Sequence, residues 1–420
     1  MPTVFWKGTA TAVQQVATAT FGTYDTSTTR TITIGGVAVS AADSGGTLTA
    51  ALTALASALN ASTHVYFAAI TWTSSATQII GTADTAGVPF TFTGSVSGGT
   101  GTVSNAYTVT TASAGPNDWS TAANWSGAAV PVDNDDVVIK DSSVNICWGF
   151  AQSDVELTSL RIEKTYTGKI GLNRTVFAQS SDGATTTSTA ATEYRDTYLT
   201  IDATTVKIGE HFGAGSPAGS SRIMLDLGTT ASTVEVVGTA TASAETGRPA
   251  VRLKATSAST NVFIRSAPGG VGIATDAPGE TSTVGTISIS DPSTASVVHA
   301  GLGTTVTTWT QLGGTNVLQA AAGVTTVTVN GGELTSEGTH AITTVNMNNG
   351  TLTSNSTGTI TTFNLNGGTA DFQESNRART VTTMNLNSTA GKGGTLKADG
   401  SVLTITTLAD ASGKYTIAVS

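Results

Sequence analysis

Charge is scarce in this chain: only 11% of its 420 residues are Asp, Glu, Lys or Arg. The net charge of −9, with no Lys/Arg cluster to offset it, speaks against a nucleic-acid partner. Cys147 is the single cysteine, which rules out an intrachain disulfide and any cysteine-based metal site. It reads as a small apolar side chain beside Trp148. No window approaches the ~20 apolar residues of a membrane-spanning helix. The first residues, Met1-Pro2-Thr3-Val4-Phe5-Trp6-Lys7, lack a basic stretch followed by an apolar one, so they do not read as a Sec signal peptide. Prolines number nine, and none follows Pro292.

Thr, Ser, Ala and the 47 glycines fill much of the remainder. Disordered chains also have polar compositions, but they lack regularly spaced Val and Ile. Here β-branched residues alternate along most of the length, and Thr suits the solvent face of a strand. The chain therefore reads as mainly β, with a weakly charged surface.

Residues 1–112 read as a small α+β module. Alternating runs at 13–21 and 30–39 predict strands joined by the polar stretch 22–29. Leu48, Leu52, Leu55 and Leu59 form the stripe of an amphipathic helix that Thr47 or Ser44 could cap. Strand patterns return at 65–72, 78–82 and 88–93, followed by a Gly-rich stretch to Gly101 and a last strand near Tyr107. One helix would then cover one sheet face.

Ala112-Ser113-Ala114-Gly115-Pro116 marks a hinge. Residues 113–152 form a Trp-rich connector, in which Trp119 and Trp125 could lid the open end of a solenoid. Residues 153–300 are strand after strand with uneven loops, the longer inserts being 178–192 and 212–220. They fit either irregular coils of the same solenoid or a separate β-sandwich.

From 301 to 420 a period emerges. An apolar-Thr-Thr signature recurs at Val306, Val324, Ile342, Ile360, Val381 and Ile405. The steps are 18 residues three times, then 21 and 24. Apolar pairs follow at Val327/Val329, Val345/Met347, Phe363/Leu365 and Met384/Leu386. Asn-x-Gly corners come next, at Asn330-Gly331-Gly332, Asn348-Asn349-Gly350 and Asn366-Gly367-Gly368. Eighteen residues are too few for a helical hairpin or a propeller blade, and enough for one coil of a β-solenoid. Coils stack about 4.8 Å apart, so six would rise roughly 25–30 Å. The longer steps fit coils with bulging loops, one of them the charged insert 374–379.

Two segments carry a resemblance. Residues 117–139, NDWSTAANWSGAAVPVDNDDVVI, resemble an entry segment that precedes β-helical regions in bacterial surface and phage-like proteins. TITIGGVAVS, LTAALTALASALNAS and YFAAITWTSSATQIIGTADTAGVPFTFT resemble a recurrent module of phage virion and prophage-encoded proteins. The resemblance implies a virion structural protein assembled in the host cytoplasm: a capsid decoration (cement) protein, a head fibre or a tail-associated fibre. It implies a homotrimer whose partner is the major capsid protein or another virion protein, with residues 1–112 as the anchor. A bacterial surface adhesin and a glycan-binding or glycan-degrading spike are the alternatives.

Local sequence offers little catalytic chemistry, and the expectation is a protein that is not an enzyme, with no catalytic, cofactor or metal residues. His64, His211, His299 and His340 lack metal-ligand spacing. The run Asp133-Asn134-Asp135-Asp136 could attract Ca²⁺, but a strand-entry turn explains it and the EF-hand pattern is missing. The repeats carry Glu333, Glu337, Asp371, Glu374, Asp399 and Asp410. Glu333 and Asp371 read as nearly equivalent positions two coils apart, about 10 Å, which is wide for an acid/base pair. Neither has a flanking basic residue in register. Trp72, Trp119, Trp125, Trp148 and Trp309 could stack on sugars, against the plainer reading that they pack cores.

Overall fold

A computed structural model describes residues 2–172, 177–178, 189–190, 197–275, 279–373, 377–387, 393–398, 402–410 and 416–419. The fold is mainly β. Two compact units divide it: one comprises Met1–Lys7, Trp125–Leu172 and Asp196–Ser420, the other Gly8–Asn124 and Asn173–Arg195. The insert 178–192 lies largely outside the described residues, as do Glu374, Ser375, Asn376 and Asp399. Of the insert 212–220, read as an exposed loop, residues 212–216 and 218 are exposed, 217 and 219 are half-buried, and Ser220 is buried.

The smaller unit holds antiparallel sheets of four and three strands, besides the short pairing of Phe177–Ala178 with Thr189–Ala190. Val16–Gly22 pairs with Gln78–Ala83 and Thr102–Thr111, with Ile70–Ser74 outermost. Thr29–Ile34 sits between Val37–Ala42 and Thr93–Ser97. The helix runs Leu48–Ala61, and the Thr47 hydroxyl accepts the Ala50 N–H at 3.2 Å, closing its first turn. Leu52, Leu55 and Leu59 are fully buried among Phe21, Ile32, Phe67 and Trp72. In a chain so poor in charge, one ion pair is fully buried here. Arg30 Nε donates to Asp43 at 2.7 Å, and both side chains are at 0% exposure.

Three local readings need correction. Residues 30–39 are two strands, because Gly35-Gly36 turns the chain back into a hairpin. Val65–Ala68 is a short helix, capped by the ring of His64, and only Ile70–Ser74 extends. Residues 88–92 pair with no strand, and extended pairing resumes at Thr93. In each case an apolar run looked strand-like while turn chemistry and tertiary packing of Phe67 and Phe92 decided its path.

In the larger unit every strand-to-strand pairing among the described residues is parallel, and the pairings link into one large closed sheet. Thr3–Phe5 joins it by pairing with Asp136–Ile139. That strand also pairs with Ala151–Glu163, followed in turn by Leu199–Glu210, Thr233–Val236, Asn261–Ile264 and Ser282–Ile289. The parallel pairing of residues 153–300 differs from the antiparallel pairing of a sandwich.

Beyond residue 300, strands pair with the next but one. Val324–Val329 pairs with Ile342–Met347, which pairs with Ile360–Leu365, then Arg379–Leu386 and Leu403–Asp410. Glu333–Ser336, Thr351–Ser354, Thr369–Asp371 and Thr395–Ala398 form the interleaved series. Val324, Ile342, Ile360 and Val381 are direct partners and all buried, so the pairing register equals the sequence period. The corner glycines Gly332, Gly350 and Gly368 have φ of 70°, 79° and 76°, the left-handed angles that the Asn-x-Gly pattern predicts.

Candidate functional site

Burial removes most of the sequence candidates from solvent. Trp72, Trp119, Trp125 and Trp309 are at most 1% exposed, so none presents a ring face to a ligand. Trp125 packs edge-on against Trp6 at 5.0 Å between ring centres. Trp309 donates to the buried Gln311 at 3.0 Å, and Asn316 donates to the same oxygen. Only Trp148 among these five is half-buried. Cys147 beside it is also half-buried, and burial pushes its thiol pKa up.

The acidic run spends its oxygens on separate neighbours. Asp133 accepts the Glu156 N–H, Asp135 the Val132 N–H, and Asp136 the Ser159 hydroxyl. Asn134 takes a positive φ of 66°, as a strand-entry turn requires. The four histidines have separate settings: His64 caps a helix, His211 follows a strand end, and His299 and His340 have different partners.

Glu333 and Asp371, read as nearly equivalent, stand two residues apart in register. Glu333 pairs with Thr351 and thence Thr369, while Asp371 is in register with Thr353 and Lys397. Lys397 Nζ sits 3.0 Å from the Asp371 carboxylate, so a basic partner in register does exist. The sequence count missed it because 26 residues separate Asp371 from Lys397, not 18. Asp371 is thus a buried, ion-paired acid, and Glu333 an exposed one.

Two surface clefts of the larger unit remain. One, about 470 Å³, is lined by Asp136, Ser159, Arg161, Thr205, Lys207, Glu210 and Phe212. Register stacks Val138, Arg161, Lys207, Glu235 and Phe263 in one column. The charges neutralise each other: Arg161 with Glu163 at 3.1 Å, and Lys207 with both Glu210 and Glu235 at 3.5 Å. A hydrogen bond from Arg265 holds the Glu235 carboxyl below its ordinary range. Phe212, 66% exposed, lies under the Arg161 guanidinium at 5.6 Å.

The other cleft has different chemistry. A cavity of about 340 Å³ is lined by Leu302, Gln319, Glu337, Gly338, Asn355 and Arg377. A neighbouring one of about 500 Å³ shares Leu302 and Gln319 and adds Thr281, Glu280 and His299. Because two lining residues are common, the pair forms one groove. Gly301 and Gly303 shape its wall. A Cβ on either would fall within 2.0 Å of a backbone carbonyl, that of Ala274 for Gly301 and of Glu280 for Gly303, and Leu302 between them stands outside at 66% exposure.

Gln319, Glu337 and Asn355 stand in register, since Leu318 pairs with Ser336 and Ser336 with Ser354. Gln373 lies one further 18-residue step along the sequence. Gln319 Nε2 donates to Glu337 at 2.6 Å, which turns its oxygen toward His299 Nε2 at 3.1 Å. His299 therefore donates from Nε2. Asn355 Oδ1 is buried and has no hydrogen-bond partner. The sequence held this column in plain view: the 18-residue period was read on apolar positions, and reading it on polar ones reveals the four residues.

Comparison with protein-family models, with curated proteins and with solved structures gave no match for this chain.

Proposed function

We propose that this chain is a non-enzymatic structural protein of a phage-type particle, a capsid decoration or head-fibre protein. The observation that carries the reading is the parallel pairing of the described strands of the larger unit, from Asp136–Ile139 to Thr416–Val419, with an 18-residue register in its regular part. We read its two interleaved strand series as the faces of a β-solenoid, and residues 8–124 as the α+β module that anchors it. Such a coil stack is stiff, because each strand is held by the backbone of its neighbours on both sides. Its outward positions carry Thr and Asn, which suit a surface exposed to solvent or packed against copies of itself. The resemblance of residues 31–93 to a module of phage virion and prophage-encoded proteins supports the particle setting, and that of 117–139 to an entry segment of β-helical bacterial surface and phage-like proteins supports the solenoid.

On this reading the partners are two further copies, in a homotrimer, and the major capsid protein or another virion protein. Strand Thr3–Phe5 belongs with the parallel sheet, which narrows the proposed anchor to the residues after it. The charge-laced cleft with exposed Phe5, Phe212 and Phe263 nearby gives the larger unit a second contact surface. The test is electron microscopy of purified particles carrying an epitope tag on this chain. Regular antibody decoration of heads or fibres is expected, and tagged protein found only in the unassembled fraction sinks the reading.

A further inference from the structure

We propose that the groove around Leu302 and the Gln319–Glu337–Asn355 column binds a linear oligosaccharide and holds it without cleaving it. The inference stands on this groove alone and does not depend on the particle reading.

The shape comes first. Side chains in register on consecutive coils lie about 4.8 Å apart, so the lining part of the column, from Gln319 through Glu337 to Asn355, spans roughly 10 Å. Two joined cavities along such a column make an elongated trough, suited to an extended chain.

The chemistry selects the class. Sugar hydroxyls donate and accept at the same atom, so they need a wall offering both. Gln319, Asn355 and His299 supply amide and imidazole groups, Glu337 accepts, and Arg377 donates. Asn355 Oδ1 is the telling atom: it is buried, lines the groove and lacks a donor. A buried acceptor without a partner costs about 1–3 kcal/mol, which a ligand hydroxyl would relieve. Leu302 gives one aliphatic surface for the carbon face of a ring, and a single such residue is too little for an apolar peptide. A polyanion would meet Glu337 and Glu280 in a chain of net charge −9.

The absence of cleavage follows from the acids. Glycoside hydrolysis needs two carboxyl groups flanking one bond. Among the described lining residues, Glu337 is the acid of one cavity and Glu280 that of the other, and Glu280 is ion-paired to Lys254.

The test uses the full chain on an array of defined neutral oligosaccharides with hexose and N-acetylhexosamine backbones, with uronic-acid chains as the negative control, then titration calorimetry with the best neutral binder. Saturable binding is expected. Gln319→Ala and Asn355→Leu should each weaken it about tenfold, the equivalent of ~1.4 kcal/mol. Thr344→Ala, on an outward strand position elsewhere, should leave it unchanged. Hydrogen exchange of the unmutated protein keeps the test open to failure should a variant misfold: bound sugar should protect amides at 301–303 and 337–338. Neutral array chains that all fail to bind, protection confined to other coils, or variants with native affinity would each overturn the proposal. Recovery of intact oligosaccharide is expected, and shortened chains would refute binding without cleavage.

Discussion

His340 shows how a single buried side chain couples this fold to pH. It is 3% exposed, its Nε2 lies 3.1 Å from the Ser336 hydroxyl, and Ser356 donates to its carbonyl. Burial disfavours the charged ring and pulls its pKa from 6.5 to about 4. Unfolded chain takes up a proton near 6.5, whereas folded chain resists until about 4. The stabilisation is therefore complete above pH 6.5 and is lost as pH falls toward 4, by an amount of order 3 kcal/mol. Urea unfolding across that range should show a steeper loss for the native chain than for His340→Gln. Parallel curves would show that other groups carry the acid sensitivity. Nothing in the sequence marked this histidine, because Ser356, which caps its carbonyl, lies 16 residues away and meets it only through coil stacking.

Single strands here are short and weakly apolar, so their side-chain ladders matter. Asn364 donates to Asn346 at 2.9 Å and accepts from Asn385 at 2.8 Å, forming a half-buried amide ladder across three neighbouring strands. Asn348, Asn366 and Asn387 continue a second ladder from Asn330 at the corners. Removing a middle rung breaks two hydrogen bonds at once. Asn364→Ala should cost about 1–2 kcal/mol. Asn349→Ala, at an exposed corner position outside both ladders, should stay within about 0.5 kcal/mol. Chemical unfolding midpoints decide it, and equal shifts would mean the ladders contribute nothing. At this scale the sequence was readable where period and structure coincide. The Leu stripe of Leu48–Ala61 and the apolar positions of each coil are in place. It misled where a short apolar run fits two states, as at Val65–Ala68, whose one-turn helix rests on the His64 cap and the packing of Phe67. The groove residues went unread for a different reason. Polar positions lack the alternation that announces a strand, so only the coil register brings Gln319, Glu337 and Asn355 together.

For the larger unit as a whole, register is the organising variable. Side chains alternate faces every residue, so a slip of one would turn every buried apolar group outward. Ile342 and Ile360 are direct partners, which makes residues 342–359 one complete period. Deleting those 18 residues joins Ala341 to Ile360, and Val324–Val329 then meets Ile360–Leu365 in the register it already uses with Ile342–Met347. Phe363 takes the buried place of Val345, and Thr362 stays outward as Thr344 was. Deleting only 343–359 leaves one extra residue, which would drive Thr362 and Asn364 inward and expose Phe363 and Leu365. The first variant should keep the strand signal in circular dichroism and melt cooperatively within a few degrees of the native chain. The second should aggregate or melt early, because the slip discards the burial of four apolar side chains or more downstream, each contributing about 1.5–3 kcal/mol. Equal behaviour of the two variants would mean that the fold tolerates any register, and would remove the basis for reading the 18-residue period as its structural unit.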